Sequence, residues 1–154
     1  MALRQTPASH AARRHIETSE TRCFVSNLHV RDLMTSDVVT IGPDESIDAV
    51  KALMANERIR HVPVVDGDGA LLGLVSESDL LLRALFEEES KVADIMAWNV
   101  TTIGPDQELS KAARIMFDNK YGCLPVVEEG VLAGILTEAD FVKAAAHAQT
   151  SPSR

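Results

Sequence analysis

The sequence predicts a mixed α/β fold of the α+β kind, two β-α-β-β-α units packed sheet to sheet as a pseudo-twofold pair. Three observations predict it: an internal repeat, short β-branched runs closed by Gly-, Pro- and Asp-containing turns, and apolar residues at helical spacing between those runs. Hydrophobic residues make up 45% of the 154-residue chain but aromatics only 4%, so the core must come from Val, Leu, Ile, Ala and Met.

The repeat relates Val30–Leu80 to Val92–Phe141. At a shift of 62, Asp32, Met34 and Val38 fall on Asp94, Met96 and Val100. Thr40-Ile41-Gly42-Pro43-Asp44 recurs intact as Thr102-Ile103-Gly104-Pro105-Asp106, Met54 falls on Met116, and Pro63-Val64-Val65 recurs as Pro125-Val126-Val127. One residue is lost where Asp66-Gly67-Asp68-Gly69 becomes Glu128-Glu129-Gly130, and Gly73, Glu77 and Asp79 then match Gly134, Glu138 and Asp140. A single deletion placed in a turn is what a duplicated structural unit tolerates.

Within the first copy, Val38–Ile41 reads as a short strand ended by Gly42-Pro43. Asp44 or Ser46 then caps a helix whose apolar face is Ile47, Val50, Leu53 and Met54. Val62–Val65 and Leu71–Val75 read as a hairpin around Asp66–Gly69. A second helix is expected from about Glu77 to about Glu87, burying Leu80, Leu81, Ala84 and Leu85. The second copy repeats this as strand 100–103, helix 109–118, strands 124–127 and 131–136, and helix 138–147. The expected organisation is a disordered tail over 1–29, units at 30–86 and 92–146, and a flexible end at 147–154. A unit of about 50 residues buries too little surface to stand comfortably alone, so the two copies should share one core, with clefts between them.

The net charge of −8 is unevenly placed: residues 1–29 carry +2 and the remainder −10. An acidic folded part does not favour DNA or RNA. Cys23 and Cys123 have no C-x-x-C spacing, and the five histidines show no ligand spacing, so neither a zinc site nor a disulfide framework is indicated. The equivalent methionines 34, 54, 96 and 116 mark core packing rather than a metal cluster. No apolar run approaches a membrane span and no secretory h-region is present, so a reducing, cytoplasmic setting is expected.

Taken together, Val30-x-Asp32-Leu33-Met34, Thr-Ile-Gly-Pro-Asp, Ile59-Arg60-His61-Val62-Pro63-Val64-Val65-Asp66 and Gly73-Leu74-Val75-Ser76-Glu77-Ser78-Asp79 resemble a CBS (cystathionine beta-synthase) domain. Tyr121–Val127 and Gly134–Asp140 supply the second copy. Each motif is degenerate alone; the ordered set occurring twice, over about residues 30–145, is specific. Two such copies form a Bateman module, here expected to stand alone. The resemblance implies that adenosine-containing ligands (AMP, ADP, ATP or S-adenosylmethionine) bind in clefts between the copies, and that binding regulates another protein.

Ser76-x-x-Asp79 and Thr137-x-x-Asp140 have capping-box spacing, which by itself satisfies free helix amides. The resemblance adds a second role: the Asp carboxylate accepts from ribose hydroxyls while the Ser or Thr faces ribose or phosphate. By the family's cross-over, Thr137 and Asp140 share the first cleft with Ser36, Ile41, Ile59, Arg60 and His61. Ser76 and Asp79 share the second with Trp98, Ile103, Tyr121, Gly122 and Cys123. Arg60 and His61 are the candidate phosphate-binding residues, since comparable positions bind phosphate in the family's kinase-regulating gamma subunits. The alternative for Arg60 is a surface pair with a neighbouring acid. The second cleft replaces these cations with Gly122 and Cys123, which suits a less charged adenosine compound or no ligand at all. Tyr121 or Trp98 offers an aromatic face to adenine, or only packs.

Three functions compete. The favoured one is an adenine-nucleotide-sensing regulatory module that acts on an unidentified partner and dimerises with its own kind. The second is a nucleotide-independent dimerisation or interaction protein, with both Ser/Thr-x-x-Asp motifs serving only as caps. An enzyme is disfavoured, because no catalytic triad, metal pair or phosphate-binding Gly-rich loop appears. No cofactor is expected beyond the regulatory ligand.

Overall fold

The computed structural model describes residues 27–85 and 90–148. Most of the expected N-terminal tail, the acidic connector at 87–89 and the last six residues lie outside the described residues. In chain order the elements are α1 (Val30–Leu33), α2 (Ile47–Glu57), β1 (His61–Val65), β2 (Leu71–Ser76), α3 (Glu77–Arg83), α4 (Val92–Ile95), α5 (Leu109–Asn119), β3 (Cys123–Glu128), β4 (Val131–Thr137) and α6 (Glu138–Ala148). The fold is α+β, with the same order of elements in both copies.

Local chemistry accounts for the element ends. Of the two residues offered as a cap for α2, Ser46 serves: its Oγ accepts from the Ala49 amide at 3.1 Å. Val50 and Met54 are the buried face of α2, as Leu109, Ala112 and Met116 are of α5. Both helices end in a left-handed residue, Arg58 (φ 56°) and Lys120 (φ 57°). In each copy two antiparallel strands form a hairpin with a register break, between Val64 and Val65 in one and Val126 and Val127 in the other. The Asp66 carboxylate organises the first turn, accepting from the Asp68 and Ala70 amides at 2.9 Å. The two hairpins meet where the Leu132 amide donates to the Gly69 carbonyl at 3.0 Å.

Four expectations are corrected. Val38–Ile41 and 100–103 are not strands over their length. Ile41 makes one parallel bridge to Val64 and Ile103 one to Val126, and the residues before them turn away to line clefts. Residues 28 and 29 are not tail: the Leu28 carbonyl accepts from Leu109, and His29 bridges Glu108. α3 stops at Arg83 and buries Leu80 alone; Leu81 and Leu85 are 68% and 77% exposed, because no described element covers that side.

The fourth correction is architectural. Instead of one shared core there are two apolar clusters, each closed by an element of the other copy. Ile41, Val50, Met54, Val62, Val64, Val75 and Leu80 are joined by Val92 and Met96 from the segment that opens the second copy. Ile103, Leu109, Ala112, Met116, Leu124, Val126 and Leu136 are joined by Val30 from α1. The crossing is pinned by backbone bonds: Leu74 and Ala97 exchange both N–H···O bonds, as do Thr35 and Ile135. Gly73 and Gly134 make it sterically possible. A Cβ on Gly73 would lie 2.6 Å from the Ala97 carbonyl oxygen, and one on Gly134 2.7 Å from the Met34 sulfur. Arg31 pairs with Asp106 and Lys91 with Asp44 (3.0 Å), so the recurring Thr-Ile-Gly-Pro-Asp motifs each end in an anchor for the other copy's entry segment.

Candidate functional site

The crossing leaves two clefts between the copies. Their floors come from the start of each hairpin and their rims from α3 and α6. The same backbone bond sets this corner in both copies: the Glu77 amide donates to the Arg60 carbonyl at 2.8 Å, and the Glu138 amide to the Gly122 carbonyl at 3.2 Å. Each helix N-terminus is thereby locked against the residue that enters its hairpin.

The first cleft has a volume of about 540 Å³ and the second about 320 Å³, both within the range of small-molecule sites. Of the residues expected in the first, Ile59, Arg60, His61, Thr137 and Asp140 line it. Ser36 does not, although its neighbours Thr35 and Asp37 do; Ile41 sits in the core at 9% exposure, and Val38 and Val39 take its place. The second cleft brings together Ser76, Asp79, Tyr121, Gly122 and Cys123. Trp98 and Ile103 are not in it. Trp98 is 62% exposed over a separate hollow of about 230 Å³, and Ile103 is buried in the second core. Ser36 and Trp98 are repeat equivalents, as are Ile41 and Ile103. The same two positions therefore fail in both copies. Ser36 and Trp98 turn away between neighbours that line the clefts, whereas Ile41 and Ile103 are held in the cores by their bridges to Val64 and Val126.

At the rims, each cap uses a single oxygen of its carboxylate. Asp79 Oδ2 accepts from the Ser76 amide and hydroxyl, both at 2.7 Å, while Ser76 Oγ accepts from the Asp79 amide at 3.3 Å. Asp140 Oδ2 accepts from the Thr137 amide at 2.8 Å and hydroxyl at 2.9 Å. Every bond that the two carboxylates accept here ends on Oδ2. The capping reading is thus realised, and it commits one oxygen of each carboxylate, leaving Oδ1 the lone pairs to accept from hydroxyls. Asp140 is the described buried charged residue, at 8% exposure.

The cations of the first cleft are more numerous than the motif indicated. Arg58 and Lys143 line it beside Arg60, and Lys120, the repeat equivalent of Arg58, lines the second. The recurrence of a cation just past both helices was the available signal. Arg60 makes the surface pair offered as its alternative role: Nε lies 3.7 Å from Glu77 Oε2, with the side chain 81% exposed, a contact worth little in water. His61 is held below the ordinary histidine value, chiefly by burial, so it is neutral near pH 7 rather than a standing positive charge. The Cys123 thiol is buried and pushed up to about 12, which makes it a packing group. The Tyr121 hydroxyl accepts from Thr101 Oγ1 at 3.4 Å, steadying its ring at the mouth of the second cleft. Among the described residues no three His, Cys, Asp or Glu side chains gather as metal ligands, and no helix is long and apolar enough to cross a membrane.

Comparison with known proteins agrees with this geometry. The CBS domain model matches residues 30–85 and 92–147. A homoserine O-acetyltransferase of Methanohalobium evestigatum is 33% identical over 118 residues, covering 76% of this chain and 24% of that protein. An inosine-5'-monophosphate dehydrogenase of Mycobacterium tuberculosis is 38% identical over 116 residues, covering 74% and 22%. This chain thus spans about a quarter of the length of these curated relatives. Among solved structures, CBSX2 in complex with AMP superposes with a TM-score of 0.71 at 31% identity, covering 79% of this chain and 98% of that one.

Proposed function

The chain belongs to the CBS domain family as a tandem pair, and from that premise we propose that it senses an adenosine-containing nucleotide and passes the signal to a partner protein. The observation that carries this reading is the divided use of Asp79 and Asp140, with one oxygen capping a helix and the other left for a ligand. CBSX2, similar over nearly its whole length, is in complex with AMP. The first cleft is the better site for a phosphorylated ligand, because it is the larger and Arg58, Arg60 and Lys143 line it, beside Asp37, Glu57, Glu138 and Asp140. The second, smaller and with Lys120 as its cation, suits a less charged adenosine compound or leaves Tyr121 to stack on a base.

The role is regulatory rather than catalytic, and the setting cytoplasmic, in keeping with a free, buried Cys123. A homodimer is part of the proposal. Leu81 and its repeat equivalent Val142 are each 68% exposed, and Leu82, Leu85 and Phe117 are exposed as well. Such a dimer would let a ligand-driven change in the angle between copies reach a partner.

Thermal unfolding with AMP, ATP and S-adenosylmethionine tests the reading. Ligand at about one hundred times Kd stabilises by about 2.7 kcal/mol, a shift of several degrees for a domain of this size. AMP is expected to give that shift. No shift with any of the three at millimolar concentration overturns the proposal in favour of a nucleotide-independent interaction protein, for which the closed caps would be the whole function.

A further inference from the structure

The two clefts share a wall. His61 and Gly122 line both of them. The repeat makes Arg60 the equivalent of Gly122 and His61 the equivalent of Cys123, so the entries to the two hairpins meet here across the pseudo-twofold relation. A Cβ on Gly122 would lie 3.1 Å from His61 Cε1 and 3.3 Å from Nε2. The imidazole therefore rests against bare backbone, in space that a side chain on the second copy would fill. The mismatch between Arg60-His61 and Gly122-Cys123 is what allows one ring to occupy the seam between two sites.

We propose that His61 couples the two clefts: a phosphorylated ligand in one sets the ring's position and charge, and the other cleft presents that same ring to its own ligand. This rests on the reading of the clefts as adenosine-ligand sites.

Geometry and charge both support the coupling. The ring is half-buried, and burial disfavours its charged form. Asp79 on the rim of one cleft and Glu138 on the rim of the other pull toward protonation, as does Glu77, while Arg60 opposes it. Asp37, Glu57, Asp140, Arg58 and Lys143 are the remaining charged groups of the first cleft, and Lys120 that of the second. The neutral ring has one N–H donor and one acceptor, whereas the protonated ring has two donors. A phosphate beside it favours protonation. The first ligand bears the free-energy cost of charging the ring, and the second meets a ring already charged. For two anionic ligands, such as AMP in both clefts, the coupling is therefore positive.

Calorimetric titration at about pH 7.5 in two buffers of different ionisation enthalpy tests this, with AMP as the probe and adenosine as the phosphate-free control. AMP binding is expected to bring a proton onto the protein and to proceed in two steps, the second about fivefold or more tighter than independent sites allow, while adenosine shows neither effect. In His61→Gln the uptake and the coupling should both be lost, whatever the change in AMP affinity. Gly122→Ala, which crowds the ring and leaves its chemistry alone, should weaken the coupling. Two independent AMP sites, a single occupied cleft, or uptake that persists in His61→Gln overturns the coupling and leaves the nucleotide-sensing reading standing. Absence of all AMP binding overturns both.

Discussion

At the scale of single residues, the carboxylates of Asp79 and Asp140 each cap a helix through one oxygen and, under the proposed function, offer the other to a ligand; a conservative substitution separates the two. In Asp140→Asn the amide oxygen still accepts from the Thr137 amide, so the helix start survives and the stability cost should stay below about 1 kcal/mol. The substitution removes the charged acceptor from the cleft. A hydrogen bond to a charged group is worth about 1.5–3 kcal/mol, so AMP affinity should fall by about tenfold or more. Binding and urea unfolding of the same variant check both halves; equal AMP affinity would reduce Asp140 to a cap. His61 gives a second residue-level prediction. Its value in the fold lies below the ordinary 6.5, so the unfolded chain binds this proton more readily than the folded one. Above 6.5 the ring is neutral in both states and its effect on stability is flat. As pH falls through 6.5 toward the lower folded value, the unfolded chain takes up the proton first and stability is lost. Urea unfolding between about pH 5 and about pH 8 should therefore show a steeper acid loss for the wild-type chain than for His61→Gln, the two curves running parallel above about pH 7. Parallel curves throughout would show that burial does not perturb the ring.

Among the elements, the decisive contacts are those that let the two copies cross. Gly73 lies under the Ala97 carbonyl and Met96, and a methyl group there meets backbone at 2.6 Å, which cannot be relieved by turning a side chain. Gly73→Ala should destabilise by about 2 kcal/mol or more, read from urea unfolding. Gly67→Ala serves as the control, since a Cβ there meets nothing within 4 Å. This is also where the sequence was least legible. The hairpins, the apolar faces of α2 and α5 and the motifs at Ser76–Asp79 and Thr137–Asp140 could be read, because each is local: a period, a turn, a cap. Ile41 and Ile103 were expected in the clefts and lie in the cores. The direction of a residue in an isolated extended segment is set by the strand it touches, here Val64 and Val126, not by its own neighbours in sequence. Leu81 and Leu85 were expected inside for a similar reason, since apolar spacing marks a helix face but not whether another element covers it. Arg58 went unread because a cation after a helix has an ordinary explanation in the helix dipole.

For the molecule as a whole, the exchange means that the repeat unit in sequence and the folding unit in space are offset. The first apolar cluster is contiguous in the chain, running from Ile41 to Met96. The second is discontinuous, because Val30 must come from the opposite end to join Ile103–Leu136. Cutting at the repeat boundary removes Val92 and Met96 from the first cluster and strips Val30 of its partners. Cutting one entry segment later keeps the first cluster intact. Two fragments of nearly equal length should therefore behave differently. A fragment of residues 36–97 holds every buried residue of the first core together with the Leu74–Ala97 backbone pair. A fragment of residues 27–85 has more of the first copy's own sequence but a core open where Val92 and Met96 belong. Chains this short are marginal alone, so the comparison is relative: amide dispersion and far-ultraviolet circular dichroism should report more structure in 36–97 than in 27–85. The opposite order would mean that the hairpin and α2 suffice for the first core, and that the crossing segments assemble the pair without completing either half.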